Sequence, residues 1–402
     1  MCGILIHKGN GNNERIQKRG QDCTNEYKKD GYTFVHNLLS VTGEFTKQPF
    51  IDGNIVCEFN GEIYNQKFVK SDGECLIPLY KKYGINFPKY LEGEFAIALY
   101  DFDKRIVVFA KDPFGSKPLF VYGTECGSYR SGVGGEKLAP NTIRVTNMDD
   151  ESFYEKKLYE WNFEQFKTTY DDWIAAFEKA IAKRAKGNCF LGLSSGYDSG
   201  AIACEMLKQG IDFKAYVFKG SEDKEVLDKR LKLVKDYEYF EPKRYDLPID
   251  NEPYTILYDG VKTDMMLLDD HAVFAVATIC DKARQEGRKV ILSGQGADEI
   301  TSDYSLFPSQ SSFKGVFPAV LKQWPNFEGS CQESYLMKEE YAGGAFNIET
   351  RYPFLDKDVV QEFLWLSQEL KNKHYKAPIR EYLIRNNFPF QEGRKIGFGV
   401  SL

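Results

Sequence analysis

Nowhere in the 402 residues does an apolar run approach the length of a membrane-spanning helix, so no transmembrane segment is expected. A long basic run is also missing. With a formal net charge of −6, neither nucleic acid nor a membrane surface is expected as the main partner. The nine cysteines are scattered, with no Cys-x-x-Cys pair and no clustered Cys/His spacing. That pattern argues against a zinc site or a disulfide framework and fits a reducing, cytoplasmic setting. The opening residues lack the charged n-region and long h-region of a signal peptide. Internal repeats and low-complexity segments are absent, as is the Gly-Lys-Ser/Thr ending of a Walker P-loop, which disfavours that class of NTPase.

What remains is a chain of ordinary globular composition, 42% hydrophobic and 28% charged. Its length suggests two or three domains at about 100–200 residues each. Through residue 146 the pattern is short β-rich segments broken by Gly, Asn and Asp. Phe95 to Tyr100 and Arg105 to Ala110, joined by Asp101-Phe102-Asp103-Lys104, read as a hairpin. The charged stretch 147–165 reads as a linker. From 166 to 402 helices alternate with short apolar strands, the signature of a parallel α/β sheet. Helices are expected over Tyr170 to Lys186, Ser199 to Gln209, Lys224 to Tyr237 and Ala272 to Glu286. Strands are expected at Cys189 to Leu193, Phe213 to Phe218 and Val290 to Leu292.

Three places carry chemistry. Cys2 follows the initiator, so removal of Met1 would leave a thiol and a free α-amine on one residue. The amine, with an ordinary pKa of about 8, can accept the proton of a thiol titrating near 8.5, which makes an N-terminal nucleophile that carries its own base. The second place, Leu193-Ser194-Ser195-Gly196-Tyr197-Asp198-Ser199, bridges a buried strand and a helix; its small residues let backbone N–H groups approach an anion at the helix start. A plain turn with Asp198 or Ser199 as N-cap is the competing reading. The third, Ser293-Gly294-Gln295-Gly296-Ala297-Asp298-Glu299, also follows a buried strand, at the sheet edge where open α/β folds bind ligands. One carboxylate from each loop, Asp198 and Asp298, is a candidate pair for a magnesium ion bridging phosphate oxygens.

The first of these loops resembles the Ser-Gly-Gly-x-Asp-Ser pyrophosphate loop of ATP pyrophosphatases, with Ser195 at a position normally Gly. Over nearly its whole length the chain resembles the glutamine-dependent asparagine synthetases. Besides Cys2, the resemblance rests on Arg19-Gly20-Gln21-Asp22, Gln48-Pro49, Asn60-Gly61-Glu62-Ile63-Tyr64-Asn65, Ser71-Asp72-Gly73-Glu74, Leu91 to Ala96 and Asp112 to Leu119. Downstream it rests on the two loops, on Glu349-Thr350-Arg351-Tyr352-Pro353-Phe354-Leu355-Asp356 and on Arg394-Lys395-Ile396-Gly397-Phe398. The fold it implies is α+β followed by α/β: an αββα Ntn-hydrolase sandwich, then a parallel-sheet adenine-nucleotide-binding domain.

The resemblance also implies a division of labour. Cys2 would attack the glutamine amide, with Asn60 and the Gly61 N–H stabilising the oxyanion, although Asn-Gly alone is equally a hairpin signal. Glu62 and Asp72 would hold the substrate ammonium, beside the segment containing Leu38 and Ser40. In the second half ATP and Mg2+ would activate a carboxylate, by default aspartate, as an acyl-adenylate, and ammonia would convert it to an amide with loss of AMP and pyrophosphate. Ser194, Gly196, Asp198 and Ser199 would face the phosphates; Leu193, Val217, Ser293 and Gly294 would flank the nucleoside. Gln295, Glu349 and Lys395 complete the implied catalytic set. The implied partners are small molecules (glutamine, ATP and a carboxylate acceptor), and a homodimer is the family expectation.

Departures from the family pattern are visible. Leu38 stands where the family's His-x-Arg-Leu-Ser segment has the arginine that grips glutamine's carboxylate. Gln295 replaces a glutamate, and a carboxamide cannot serve as a general base at neutral pH. Met265-Met266-Leu267-Leu268-Asp269-Asp270-His271 lacks the Thr and Arg expected to hold aspartate; its acids favour a cationic or hydroxylated acceptor, unless Asp270 is a helix N-cap. Two alternatives therefore stand beside the default: a ligase of the same chemistry that amidates or cyclises another carboxylate, and a non-synthetic regulatory relative.

Overall fold

The computed structural model describes residues 1–218, 222–244, 246–258, 261–306 and 311–393. Two compact units divide the chain. The first comprises Met1–Glu160 with Leu247–Asp250 and Glu340–Glu349, and the second holds the remainder.

In the N-terminal unit β1 (Gly3–His7), β2 (Cys23–Lys29), β3 (Tyr32–Leu38), β4 (Phe50–Asp52), β5 (Ile55–Ile63), β6 (Gly93–Asp101), β7 (Ile106–Lys111), β8 (Phe120–Tyr122), β9 (Glu125–Gly127), β10 (Glu136–Lys137), β11 (Thr142–Asn147) and β12 (Phe153–Lys157) form two six-stranded sheets. Their orders are β10-β8-β9-β1-β3-β2 and β12-β11-β7-β6-β5-β4. The strand period of two sorts the side chains of the second sheet onto two buried faces. Ala96, Ala98 and Tyr100 of β6 join Ile4, Ile6 and Phe34 in one core. Ile97 and Leu99 join Leu76, Ile77 and Tyr80 of α1 (Leu76–Tyr83) in another. Each fully buried aliphatic or aromatic side chain contributes about 1.5–3 kcal/mol, so a sheet covered on both faces is a rigid platform for residues carried on β5. The stretch expected to be a linker, 147–165, instead begins with an edge strand, β12, paired with β11 from Thr142↔Lys157 to Thr146↔Phe153. The division between units falls at Glu160 and Trp161, because the charges of this stretch occupy the exposed edge of a sheet. A short helix, α2 (Arg130–Val133), and 3-10 helices at Ile16–Arg19, Asp72–Cys75 and Gly84–Tyr90 complete the secondary structure before Glu160.

In the C-terminal unit α3 (Asp171–Arg184) leads into β13 (Cys189–Gly192), α4 (Tyr197–Lys208), β14 (Phe213–Phe218), α5 (Lys224–Leu231) and β15 (Tyr237–Phe240). A hairpin of β16 (Pro253–Tyr258) and β17 (Val261–Met266) follows, then α6 (His271–Gln285), β18 (Val290–Leu292), α7 (Ala297–Thr301) and α8 (Ser330–Ala345). The chain continues through β19 (Glu349–Arg351), α9 (Lys357–Trp365), α10 (Gln368–Asn372) and α11 (Ala377–Arg385). The sheet order is β15-β14-β13-β18-β19, and β13 runs parallel to both β14 and β18. The helix expected from Lys224 to Tyr237 ends at Leu231, because Tyr237-Glu238-Tyr239-Phe240 has the aromatic alternation of a strand and pairs with β14. Among the described residues no helix is long and apolar enough to cross a membrane.

Candidate functional site

The N-terminal unit gathers its predicted residues around β5 and the start of β1, two strands in contact across the sheets. Asn60, Gly61 and Glu62 lie inside β5 opposite Ala96, Phe95 and Glu94, so Asn60-Gly61 is strand interior and not a hairpin turn. Gly61 sits at φ 143°, and a Cβ there would lie 1.8 Å from the Glu94 carbonyl oxygen, which leaves glycine as the residue that fits. The Asn60 side chain is fully buried, and neither its Nδ2 nor its Oδ1 has a hydrogen-bond partner among the described residues. Leaving such a group unsatisfied costs about 1–3 kcal/mol, and a donor kept in reserve suits a charge that develops only during reaction. Asp72 is held by the Ile63 and Gly73 amides at 2.8 and 3.0 Å, which ties its turn to the end of β5. Glu62 is buried, Leu38 is the buried last residue of β3, and the Ser40 amide donates to Asp22 Oδ2 at 2.9 Å.

Cys2 is half-buried, with its Sγ 3.8 Å from the Leu39 carbonyl oxygen. Burial pushes the thiol up to about 11; the Met1 ammonium opposes this, and the Glu349 and Asp72 carboxylates add to it. In the chain as encoded the amine belongs to Met1, which is fully buried and pushed down to about 6 by burial, with Glu349 opposing at 3.8 Å. The nucleophile-plus-base unit therefore forms only when Met1 is removed. Around Met1 lies a buried charge network: Arg19 donates to the Cys2 carbonyl (3.1 Å) and Glu340 (2.9 Å), and Lys117 reaches Glu340 at 2.9 Å. Glu349, assigned from sequence to the synthetase chemistry, belongs to this N-terminal unit and does not line the cavity described next.

In the C-terminal unit the two loops meet in a cavity of about 300 Å3. Ser194, Gly196, Asp198, Ser199, Ser293, Gly294, Gln295 and Asp298 all line it, and Leu191, Ala272, Val276, Ile279, Ile291 and Leu292 supply an apolar wall. Leu193 and Val217 are buried but do not line it. The cavity thus combines an apolar surface for a flat heterocycle with small-residue loops at the start of α4, a fit to a nucleotide. Ser194 and Ser199 hydroxyls bond each other at 2.8 Å, and the Gly196 amide donates to Ser194 Oγ at 3.1 Å. Ser195, unexpected at its position, is anchored elsewhere: its amide donates to Glu222 Oε2 at 2.6 Å and its hydroxyl to the same oxygen.

Several residues of this site carried no sequence signal. The Arg230 guanidinium donates to the Ser194 and Gly196 carbonyls at 2.5 and 2.8 Å and so fixes the loop from behind. A Cβ on Gly200 would lie 2.3 Å from Arg230 Nη2, so a larger residue in the first turn of α4 would displace the guanidinium from the loop carbonyls it holds. Burial lowers Arg230 to about 10, so it stays cationic at neutral pH. Lys376 is buried, and its Nζ lies 2.7 and 2.6 Å from the two Asp198 oxygens and 3.0 Å from Asp298 Oδ1. Tyr375 donates to the same Asp298 oxygen at 3.0 Å. Burial alone would lower the Lys376 pKa, but the two carboxylates push it well above the ordinary lysine value. Two carboxylates converging on one cation are the share of an octahedral oxygen set that protein side chains contribute to Mg2+ in nucleotide sites, where phosphates and water supply the rest. Lys395 lies outside the described residues.

A glutamine amidotransferase domain model matches residues 1–181, and an asparagine synthase model matches residues 173–331. The asparagine synthetase [glutamine-hydrolyzing] 1 of Saccharomyces cerevisiae is 26% identical over 93% of this chain and 76% of its own length. The protein of the same name from Arabidopsis thaliana is 26% identical over 98% of this chain and 75% of its own. With the two domains in tandem and relatives aligned along almost its full length, the chain carries the domain pair of the glutamine-hydrolysing asparagine synthetases and is similar to them from end to end.

Proposed function

We propose that this chain is an ATP-dependent carbon–nitrogen ligase that takes its amido nitrogen from glutamine at Cys2 and amidates aspartate in the C-terminal cavity. The observation that carries the reading is the convergence of Asp198 and Asp298, from loops following the neighbouring parallel strands β13 and β18, on the single cationic position held by Lys376. Asp198 and Asp298 would hold Mg2+, which supplies charge neutralisation for the pyrophosphate leaving group. Ser194, Gly196 and Ser199 present hydroxyl and amide groups to phosphate oxygens, and Lys376 supplies the buried positive charge beside them. In the glutaminase half the Cys2 thiolate attacks the amide carbon, while the Asn60 Nδ2 and Gly61 N–H groups receive the oxyanion; each such donor is worth about 2.7–4 kcal/mol.

A second reading keeps this chemistry with a different carboxylate acceptor. It is favoured by Gln295, which lines the cavity at the position where the resemblance leads one to expect glutamate and cannot relay a proton as a carboxylate does. A screen of candidate acids with ATP, magnesium and ammonium, read by pyrophosphate release, separates the two. Release with aspartate together with asparagine formation supports the first reading. Release only with another acid supports the second, and no release with any acid contradicts both.

A further inference from the structure

Lys338 is the one cationic side chain among the described residues that line the cavity, in a wall that also carries Asp198, Asp298, Glu299 and Glu339. It projects from α8 with Tyr335 and Glu339, an i, i+3, i+4 set that shares one helix face. Its Nζ lies 3.2 Å from Asp270 Oδ2 and 4.7 Å from the centre of the Tyr335 ring. Asp270 is already committed. It caps α6 by accepting from the Ala272 amide at 2.9 Å, and it accepts from the Tyr254 hydroxyl at 2.6 Å. A carboxylate tied to this extent is a fixed anion that orients Lys338, not a receptor for substrate. The N-cap reading of Asp270 therefore holds, and Asp269 and His271, read with it as favouring a cationic or hydroxylated acceptor, are not among the lining residues. Glu299 is likewise occupied, by the Tyr304 hydroxyl and by the Gly296 amide at 2.9 Å.

An ammonium carries three donors, and Asp270 engages one of those on Lys338. Its partner Asp270 caps the positive end of α6, where the helix dipole also favours an anion. The reacting carboxylate has to meet the phosphates at the Ser194 to Ser199 loop, so a second carboxylate on the acceptor has Lys338 as its cation among the lining residues. We propose that Lys338 sets acceptor specificity by binding the non-reacting carboxylate of a dicarboxylic amino acid; the proposal rests on the ligase reading above.

The test measures pyrophosphate release with ammonium as nitrogen source, so that the glutaminase half is bypassed, for wild type, Lys338→Met and Lys338→Arg. The acceptors are aspartate, β-alanine (which lacks the second carboxylate) and lysine. Losing one charge-assisted contact should raise the KM for aspartate by about tenfold or more in Lys338→Met and leave the KM for ATP within about twofold. Lys338→Arg should retain most of the aspartate affinity, and β-alanine should be a poor acceptor whose KM the substitutions leave unchanged. Lys338→Gln carries the same expectation as Lys338→Met if the latter does not fold. Equal shifts for aspartate and β-alanine, or parallel shifts for aspartate and ATP, would overturn the assignment. So would a wild-type enzyme that turns over lysine and ignores aspartate, with the ligase reading intact. No release with any acid would instead overturn the ligase reading, and the role of Lys338 with it.

Discussion

The two sites have changed charge in opposite directions. The glutaminase half has lost a cation, since Leu38 stands where the resemblance leads one to expect arginine, and the synthetase half has lost an anion, since Gln295 stands where it leads one to expect glutamate. The surroundings respond differently. In the N-terminal unit the charges near Cys2 form a buried network in which Arg19 and Lys117 are spent on Glu340, and among the described residues the buried side chains without a hydrogen-bond partner include Asn60 and Glu58. In the C-terminal unit the lysines at and behind the cavity stand on carboxylates, Lys338 of its lining on Asp270 and the buried Lys376 on the lining residues Asp198 and Asp298. A buried polar network has little means of replacing a missing ligand contact, whereas a cavity with paired charges can redirect one of them toward substrate. The loss at Leu38 should therefore show up in binding, and the loss at Gln295 in rate or acceptor choice.

The largest effect that would sharpen this contrast is expected from Asn60→Ala, which should cut glutamine-dependent turnover by about 10²–10³-fold and leave ammonium-dependent turnover unchanged. A fall in both rates would mean that the buried amide serves the fold and not the oxyanion. Leu38→Arg should have a smaller effect, lowering the KM for glutamine by roughly tenfold as a charge-assisted contact is restored, with kcat little altered. If the KM is unchanged, another group already compensates and the asymmetry between the sites disappears.

The smallest effect concerns Glu58, which burial raises from an ordinary 4.5 to about 8, with His36 opposing. A carboxyl with a raised folded-state pKa binds its proton more tightly in the folded protein. Its stability contribution is therefore complete below about 4.5 and is lost as pH rises toward 8. Glu58→Gln should accordingly match wild type in melting temperature near pH 5 and exceed it by about a few degrees near pH 9. A constant difference across that range would show that Glu58 does not titrate between the sheets.

Much of the architecture was legible because it is written in contiguous pattern. The hairpin of β6 and β7, the strands β13, β14 and β18, and the helices α4 and α6 follow from local period, and both loops of the cavity follow from their place after buried strands. Asn60 to Glu62 and Asp72 were found by motif, but an Asn-Gly pair has no local feature that separates a turn from a strand; the pairing with β6 decides it. Lys376 escaped because its partner Asp198 is 178 residues away, and Arg230 because it holds backbone carbonyls 34 and 36 residues distant that no side-chain motif reports. Glu349, read with its motif as synthetase chemistry, lies 3.8 Å from the Met1 amine, a contact 348 positions away in the chain that no local motif reports.

The most direct test of the central claim, that nitrogen release and amide formation are separate chemistries with Cys2 as the nucleophile of the first, is the Cys2→Ala variant assayed in parallel with glutamine and with ammonium. The account predicts loss of essentially all glutamine-dependent amide formation, with ammonium-dependent formation retained near the wild-type rate. Equal loss with both nitrogen sources, or unimpaired use of glutamine, would contradict it.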